Sequence, residues 1–92
     1  MRFSLFVEQI VCPYPTGDRR RLRYSLFPLP IADGIMWSFL ICEEEDGSVL
    51  QSCFLCDVTR DEARARELFH LCAEGTVLPE LAQEVLQEIA LE

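Results

Sequence analysis

The sequence predicts an α+β domain: a four-stranded antiparallel meander followed by a two-helix hairpin packed on one face, in the order β-β-β-β-α-α. Three observations predict it. Period-two alternation of apolar and polar residues runs up to Asp57, and a helical period of about 3.6 residues takes over after Val58. Turn signals cut the chain into four extended segments and then two helical ones. Strands that precede helices, instead of alternating with them, argue against a parallel sheet. At 92 residues the chain, 1–92, fits a single domain.

The first strand is expected over residues 2–12, which are rich in Phe, Leu, Val and Ile. Pro13, Pro15, Gly17 and Asp18 mark the loop after it. Residues 20–27 alternate, with Leu22, Tyr24 and Leu26 on one side and Arg21, Arg23 and Ser25 on the other. Pro28, Pro30, Asp33 and Gly34 then mark a second loop. Residues 35–43 and 49–57 form a hairpin around Asp46-Gly47, the pair that supplies the positive φ angles of a type I′ turn. That turn sets Glu45 opposite Ser48, and counting back pairs Glu43 with Leu50, Ile41 with Ser52, Phe39 with Phe54 and Trp37 with Cys56. The expected core face is then Trp37, Phe39, Ile41, Leu50, Phe54 and Cys56. The other face carries Met36, Ser38, Leu40, Cys42, Gln51, Cys53 and Leu55.

Thr59-Arg60-Asp61-Glu62 fits a capping box, with Thr59 as the cap. The helix behind it runs to about Ala73, buries Ala65, Leu68, Phe69 and Cys72, and meets Gly75 as its C′ residue. Pro79 suits the first turn of the second helix, whose stripe is Leu78, Leu81, Ala82, Val85, Leu86 and Ile89. The expected core joins Trp37, Phe39, Phe54, Leu68, Leu81 and Val85.

Composition excludes several activities. Half the residues are hydrophobic and 26% are charged, which is a globular composition. The net charge is −8, and all eight bases are Arg. A field of that sign repels a phosphate backbone and an anionic membrane, so neither nucleic acid nor membrane is an expected partner. No apolar run reaches the ~18–20 residues of a membrane span. The opening Met1-Arg2-Phe3-Ser4-Leu5-Phe6-Val7-Glu8 meets an acid before a signal-peptide core could form. With five cysteines, an odd number, this points to reduced thiols and a cytoplasmic location.

Four constellations bear on chemistry. Cys53-Phe54-Leu55-Cys56 has the spacing of half a zinc site or a redox pair, with Cys42, His70 and Cys72 as further donors by composition. Residues three apart on a strand diverge, so packing is the favoured role. His70 lies about 200° around a helix from Cys72 and is expected as a surface or partly packed side chain. Glu43-Glu44-Glu45-Asp46 sits at a hairpin end and is expected as a solvated tip. Arg19, Arg20, Arg21 and Arg23 hold half the basic charge. They are the best candidates for an anionic partner, against the plainer role in which Arg21 and Arg23, on the outer strand face, pair with Glu across the sheet. No phosphate-binding loop, dinucleotide fingerprint, nucleophile elbow or zinc-protease motif is present. With one His and no Lys, catalysis is not expected: no catalytic residue, no cofactor and no metal ligand is nominated.

Tyr24-Ser25-Leu26, Asp57-Val58-Thr59 and the stretch Leu78-Pro79-Glu80-Leu81-Ala82-Gln83-Glu84-Val85-Leu86-Gln87-Glu88-Ile89 resemble a family of short, functionally uncharacterised proteins from Firmicutes bacteria. That family shows a Tyr-Gly-Ile-like strand, an Asp-Ile-Ser-like helix start and a final helix resembling Ser-Pro-x-His-Leu. Here Leu78 stands at the family-like Ser and Leu81 at the His, so any chemistry of that His is lost. The resemblance implies a bacterial, cytoplasmic protein with no known activity.

The expected function is a protein-interaction or adaptor module without catalysis. The alternative is a thiol-based zinc or redox site on Cys53 and Cys56. A homodimer through the sheet is also expected. A domain this small has little core, and the face with Met36, Leu40, Cys42, Cys53 and Leu55 is too apolar for water.

Overall fold

The computed structural model describes residues 7–17 and 19–90, without the side chains of Cys56, Asp57, Ile89 and Ala90. It has the expected α+β architecture. Strands β1 (Glu8–Pro13), β2 (Arg20–Ile31), β3 (Gly34–Glu45) and β4 (Ser48–Thr59) form one antiparallel sheet in the order β1-β2-β3-β4. Helix α1 (Glu62–Glu74), a 3-10 turn (Pro79–Leu81) and helix α2 (Ala82–Ala90) follow. The helices share one core with the sheet. Leu22, Tyr24 and Leu26 of β2 and Trp37, Phe39 and Ile41 of β3 pack against Ala65, Leu68, Phe69 and Cys72 of α1 and Ala82 and Leu86 of α2. Phe39 meets Phe69 edge to face at 5.6 Å, the favoured geometry for two aromatic quadrupoles.

Several boundaries differ from expectation, each for a local reason. The first strand was expected from residue 2; residues 2–6 lie outside the described residues, and the strand seen begins at Glu8. The second does not stop before Pro28. It continues to Ile31, and the loop shrinks to Ala32-Asp33. The register explains how two prolines are accommodated. Ile31 and Gly34 close the two-residue turn, so odd-numbered residues of β2 bond to β3 and even-numbered ones face the other way. The bonds Val7 N–H to Leu26 O and Tyr14 N–H to Arg20 O, both toward β1, agree. Pro28 and Pro30 thus lack only amides that β3 does not use.

The β3–β4 hairpin starts as expected, with Asp46 at φ 51° and Gly47 at φ 84° and Glu45 opposite Ser48. The register then slips. Glu44 pairs with Val49 but Glu43 pairs with Gln51, so Leu50 is an extra residue in a β-bulge. One added residue moves every later side chain of β4 to the opposite face. Ile41 now faces Cys53 and Phe39 faces Leu55, while Phe54 pairs with Leu40 on the helix-free face. Leu50 and Phe54, expected in the core, are 52% and 51% exposed. Gln51, Cys53 and Leu55, expected on the free face, turn toward the helices. A second irregularity separates Phe39↔Leu55 from Trp37↔Thr59.

The helix cap is Asp61, not Thr59. Asp61 Oδ1 accepts from the Ala63 and Arg64 amides at 3.0 and 3.4 Å. Thr59 remains in β4, and its hydroxyl accepts from the Asp61 amide at 3.1 Å, turning the chain one step earlier. At the far end Gly75 keeps right-handed angles and Thr76 takes the left-handed position at φ 47°. The Val77 amide donates to Cys72 O and the Thr76 amide to Ala73 O, which is a Schellman motif. Tyr24, buried in the middle of the sheet, donates its hydroxyl to Val77 O at 2.9 Å and ties this motif down. Leu81, expected in the core, is 48% exposed because the 3-10 turn rotates it out, while Pro79 is buried in its place.

Candidate functional site

The basic run of β2 is divided between two faces by strand geometry. Arg20 shares the helix-side face with Leu22, and Arg21 and Arg23 lie on the free face. On the helix side, Arg20 Nη1 donates to Glu43 Oε2 at 2.9 Å, and Gln51 Nε2 donates to Glu43 Oε1 at 2.9 Å. The Arg20 guanidinium also lies 3.9 Å from the Tyr14 ring centroid. Glu43 is only 2% exposed, so the expected solvated tip is corrected there. Glu45 and Asp46 are the solvated part. The parity of β3 carries the reason: Glu43 continues the inward series Trp37, Phe39, Ile41 and needs a cation to remain buried.

On the free face, Arg23 Nε donates to both oxygens of Glu44 at 3.2 and 3.1 Å, and Arg23 Nη1 donates to Gln9 Oε1 at 3.1 Å. The hydrogen bonds to Glu44 push the Arg23 pKa up, so its charge is permanent. Arg19 approaches Asp46 at 3.9 Å. Arg21 has no ion-pair partner among the described residues. These side chains and Gly47 line an open recess of about 440 Å³. Of the two arginines expected to pair with Glu across the sheet, Arg23 does so with Glu44 and Arg21 does not among the described residues; the Arg20–Glu43 pair on the helix side was not expected. Two carboxylates, Glu44 and Asp46, share the recess with the arginines, which weakens it as an anion site.

Further along the free face the sheet is apolar. Val11, Val49 and Phe54 are exposed, Met36 and Leu40 half-buried, and Phe27 meets Phe54 edge-on at 6.1 Å. Neither helix covers this face, since the core cluster uses only the opposite side of β2 and β3. Ser25 is buried there and accepts from Gln9 Nε2 at 3.0 Å. Ser38 is fully buried, and its hydroxyl has no hydrogen-bond partner among the described residues.

The thiols are dispersed. Cys42 lies on the free face, Cys53 on the helix side of β4, Cys12 on β1 and Cys72 inside α1. Cys12 Sγ points to Ala73 O at 3.9 Å. Burial pushes the Cys72 thiol up to about 11 and, with the Glu44 charge, raises Cys42, so both are held as unreactive thiols. The Cys56 side chain lies outside the described residues. Among the described residues no group of three His, Cys, Asp or Glu is placed to hold a metal ion. His70 is half-exposed, stacks edge-on to Phe69 and donates Nε2 to Glu8 Oε2 at 3.0 Å. Arg66 Nη1 reaches the other oxygen of Glu8 at 3.3 Å, so one carboxylate fastens β1 to α1. Sequence reasoning did not find that clamp; the signal was an acid at an inward position of an edge strand.

No family model, curated protein or solved structure matches the chain. Among the described residues no helix is long and apolar enough to cross a membrane.

Proposed function

We propose that this chain is a small protein-interaction module that presents its sheet to another protein and performs no catalysis. The observation that carries this reading is the one-sided placement of the helices. They leave an apolar sheet face around Leu40 and Phe54, next to a charged rim of Arg21, Arg23 and Glu44. An apolar centre with a polar border is the usual anatomy of a protein interface. The four described cysteines are free thiols, which supports a reducing, cytoplasmic setting.

The test compares capture from a lysate by the wild-type chain, by Leu40→Glu on the free face and by Glu88→Ala on α2, with folding checked by circular dichroism. The reading expects one protein bound by wild type and Glu88→Ala and lost with Leu40→Glu. Equal capture by all three overturns it. Elemental analysis addresses the thiol alternative: near one zinc per chain would replace the interaction reading with a metal site on Cys53 and Cys56.

A further inference from the structure

The free face ends at β4, and that edge has a property the other edge lacks. Among the described residues β1 and β4 flank the sheet. β1 is six residues long and runs into Pro13 and Pro15. Short length and proline are two of the means by which proteins keep an edge from pairing. β4 is twelve residues long, and Ser48 to Cys56 contains no charge, no proline and no glycine. In a chain that is 26% charged, this is a conspicuous neutral strip. Two molecules that each carry −8 approach most easily along strips that carry nothing.

The register defines how such a strip would pair. β4 is regular from Gln51 to Leu55, between the bulge at Leu50 and the irregularity after Leu55. Glu45 and Ser48 close a two-residue turn, so odd-numbered residues of β3 bond to β4. Their partners Gln51, Cys53 and Leu55 therefore spend their backbone groups on β3. The amides and carbonyls of Ser52 and Phe54 point out of the open edge. A two-fold axis through Cys53 satisfies all four groups at once. Ser52 pairs with Phe54 of the second copy, and Phe54 with its Ser52. The two exposed Phe54 rings then sit diagonally across the axis, within reach of one another. On the helix side the 3-10 turn packs over β4.

We infer that two copies of this chain join through β4, antiparallel about Cys53, into one continuous sheet. The inference goes beyond the reading of the sheet face as a docking surface: it concerns the β4 edge, and the occupant is a second copy. Five regular residues a side make a small interface, at or below the ~1,200 Å² typical of weak complexes, so the dimer forms at high concentration. The pairing leaves Cys53 and its copy as a non-hydrogen-bonded cross-strand pair. Their Cα atoms would stand about 4.5 Å apart, inside the range a disulfide spans.

Sedimentation in reducing buffer from about 10 µM to about 500 µM tests the pairing. Expected is a monomer–dimer equilibrium that tightens as salt rises, because salt screens the repulsion between the two acidic chains. Ser52→Pro removes an amide that only the dimer uses, and Phe54→Asp places two charges across the axis. Each is expected to weaken association at least tenfold with an unchanged circular dichroism spectrum. Cys53→Ser leaves the reduced dimer intact. Diamide, which takes two electrons and two protons from a thiol pair, is expected to yield a Cys53–Cys53 linked dimer, identified by peptide mass. A monomer at every concentration, a dimer indifferent to both Ser52→Pro and Phe54→Asp, or a different cysteine pair overturns the inference. A monomer that still captures a partner through Leu40 overturns only the self-pairing and leaves the interaction reading standing.

Discussion

Replacing Arg20 by Met should be among the most damaging single changes in the sheet. Glu43 is 2% exposed, and its carboxylate is held by Arg20 Nη1 and Gln51 Nε2 alone among the contacts seen. Breaking a buried ion pair costs about 3–5 kcal/mol, because the remaining charge stays desolvated. Arg20 retains some solvent contact and Gln51 remains, so about 2–3 kcal/mol is the expected loss. A 92-residue domain has roughly 5–14 kcal/mol to lose. At about 4–8 °C per kcal/mol, the thermal midpoint should fall by about 10–20 °C. The stacking of Arg20 on Tyr14 is also lost, and Tyr14→Leu measures that share separately, about 0.5–1 kcal/mol. The decisive comparison is the double variant Arg20→Met with Glu43→Leu, which removes both charges. It should recover to within about 1 kcal/mol of wild type in urea unfolding, since an apolar pair replaces a buried ionic one without penalty. The reasoning is refuted if Arg20→Met alone costs less than about 0.5 kcal/mol, or if the two single losses simply add.

Three further outcomes are expected. Thr76→Gly should raise stability by about 1 kcal/mol in urea unfolding, because a branched residue at φ 47° carries a strain that glycine does not. Ser38→Ala should be neutral or stabilising by up to about 1–2 kcal/mol, since it deletes a buried hydroxyl without a partner; a clear loss would show that the hydroxyl is bonded. Stability should fall between pH 9 and pH 11. The Cys72 thiol is raised from 9.0 to about 11, so in that window the unfolded chain has lost a proton that the folded chain keeps. The contribution is whole below about pH 9 and declines by about 2–3 kcal/mol toward pH 11, with Tyr24, also raised by burial, acting in the same direction. Urea midpoints at pH 8 and pH 10.5 measure it, and Cys72→Ala should flatten the slope.

The element order was legible because it depends on periodicity, which is local. Leu22, Tyr24 and Leu26 alternate in the sequence and are all buried in the structure. The Asp46-Gly47 turn was legible because only a few residue pairs tolerate two positive φ angles. What followed the turn was not. The bulge at Leu50 leaves no mark in composition, since Val49, Leu50 and Gln51 suit either face, yet it reverses Phe54 and Cys53. The helix cap failed for a similar reason: Thr59 and Asp61 are both good caps, and the choice depends on how far β4 extends against Trp37. The ion pair of Arg20 with Glu43 was visible only as a charge balance. Its burial follows from a register that links positions 23 residues apart.

The order of elements along the chain also bears on synthesis. All four strands precede both helices, so a ribosome completes the sheet at Thr59 while its apolar side has nothing to cover it. Trp37, Phe39 and Ile41 then wait for Leu68, Phe69 and Leu86. At ~5–20 residues per second, the roughly thirty residues from Arg60 to the end of α2 at Ala90 take about 2–6 s. During that interval the nascent chain shows a bare hydrophobic plane and a neutral outer strand together. Exposed apolar surface beside an unpaired strand edge is the kind of surface that aggregates and that chaperones exist to shield. The Tyr24 hydroxyl bonds to Val77 O, and Ala82 and Leu86, made later still, complete the cover of the sheet.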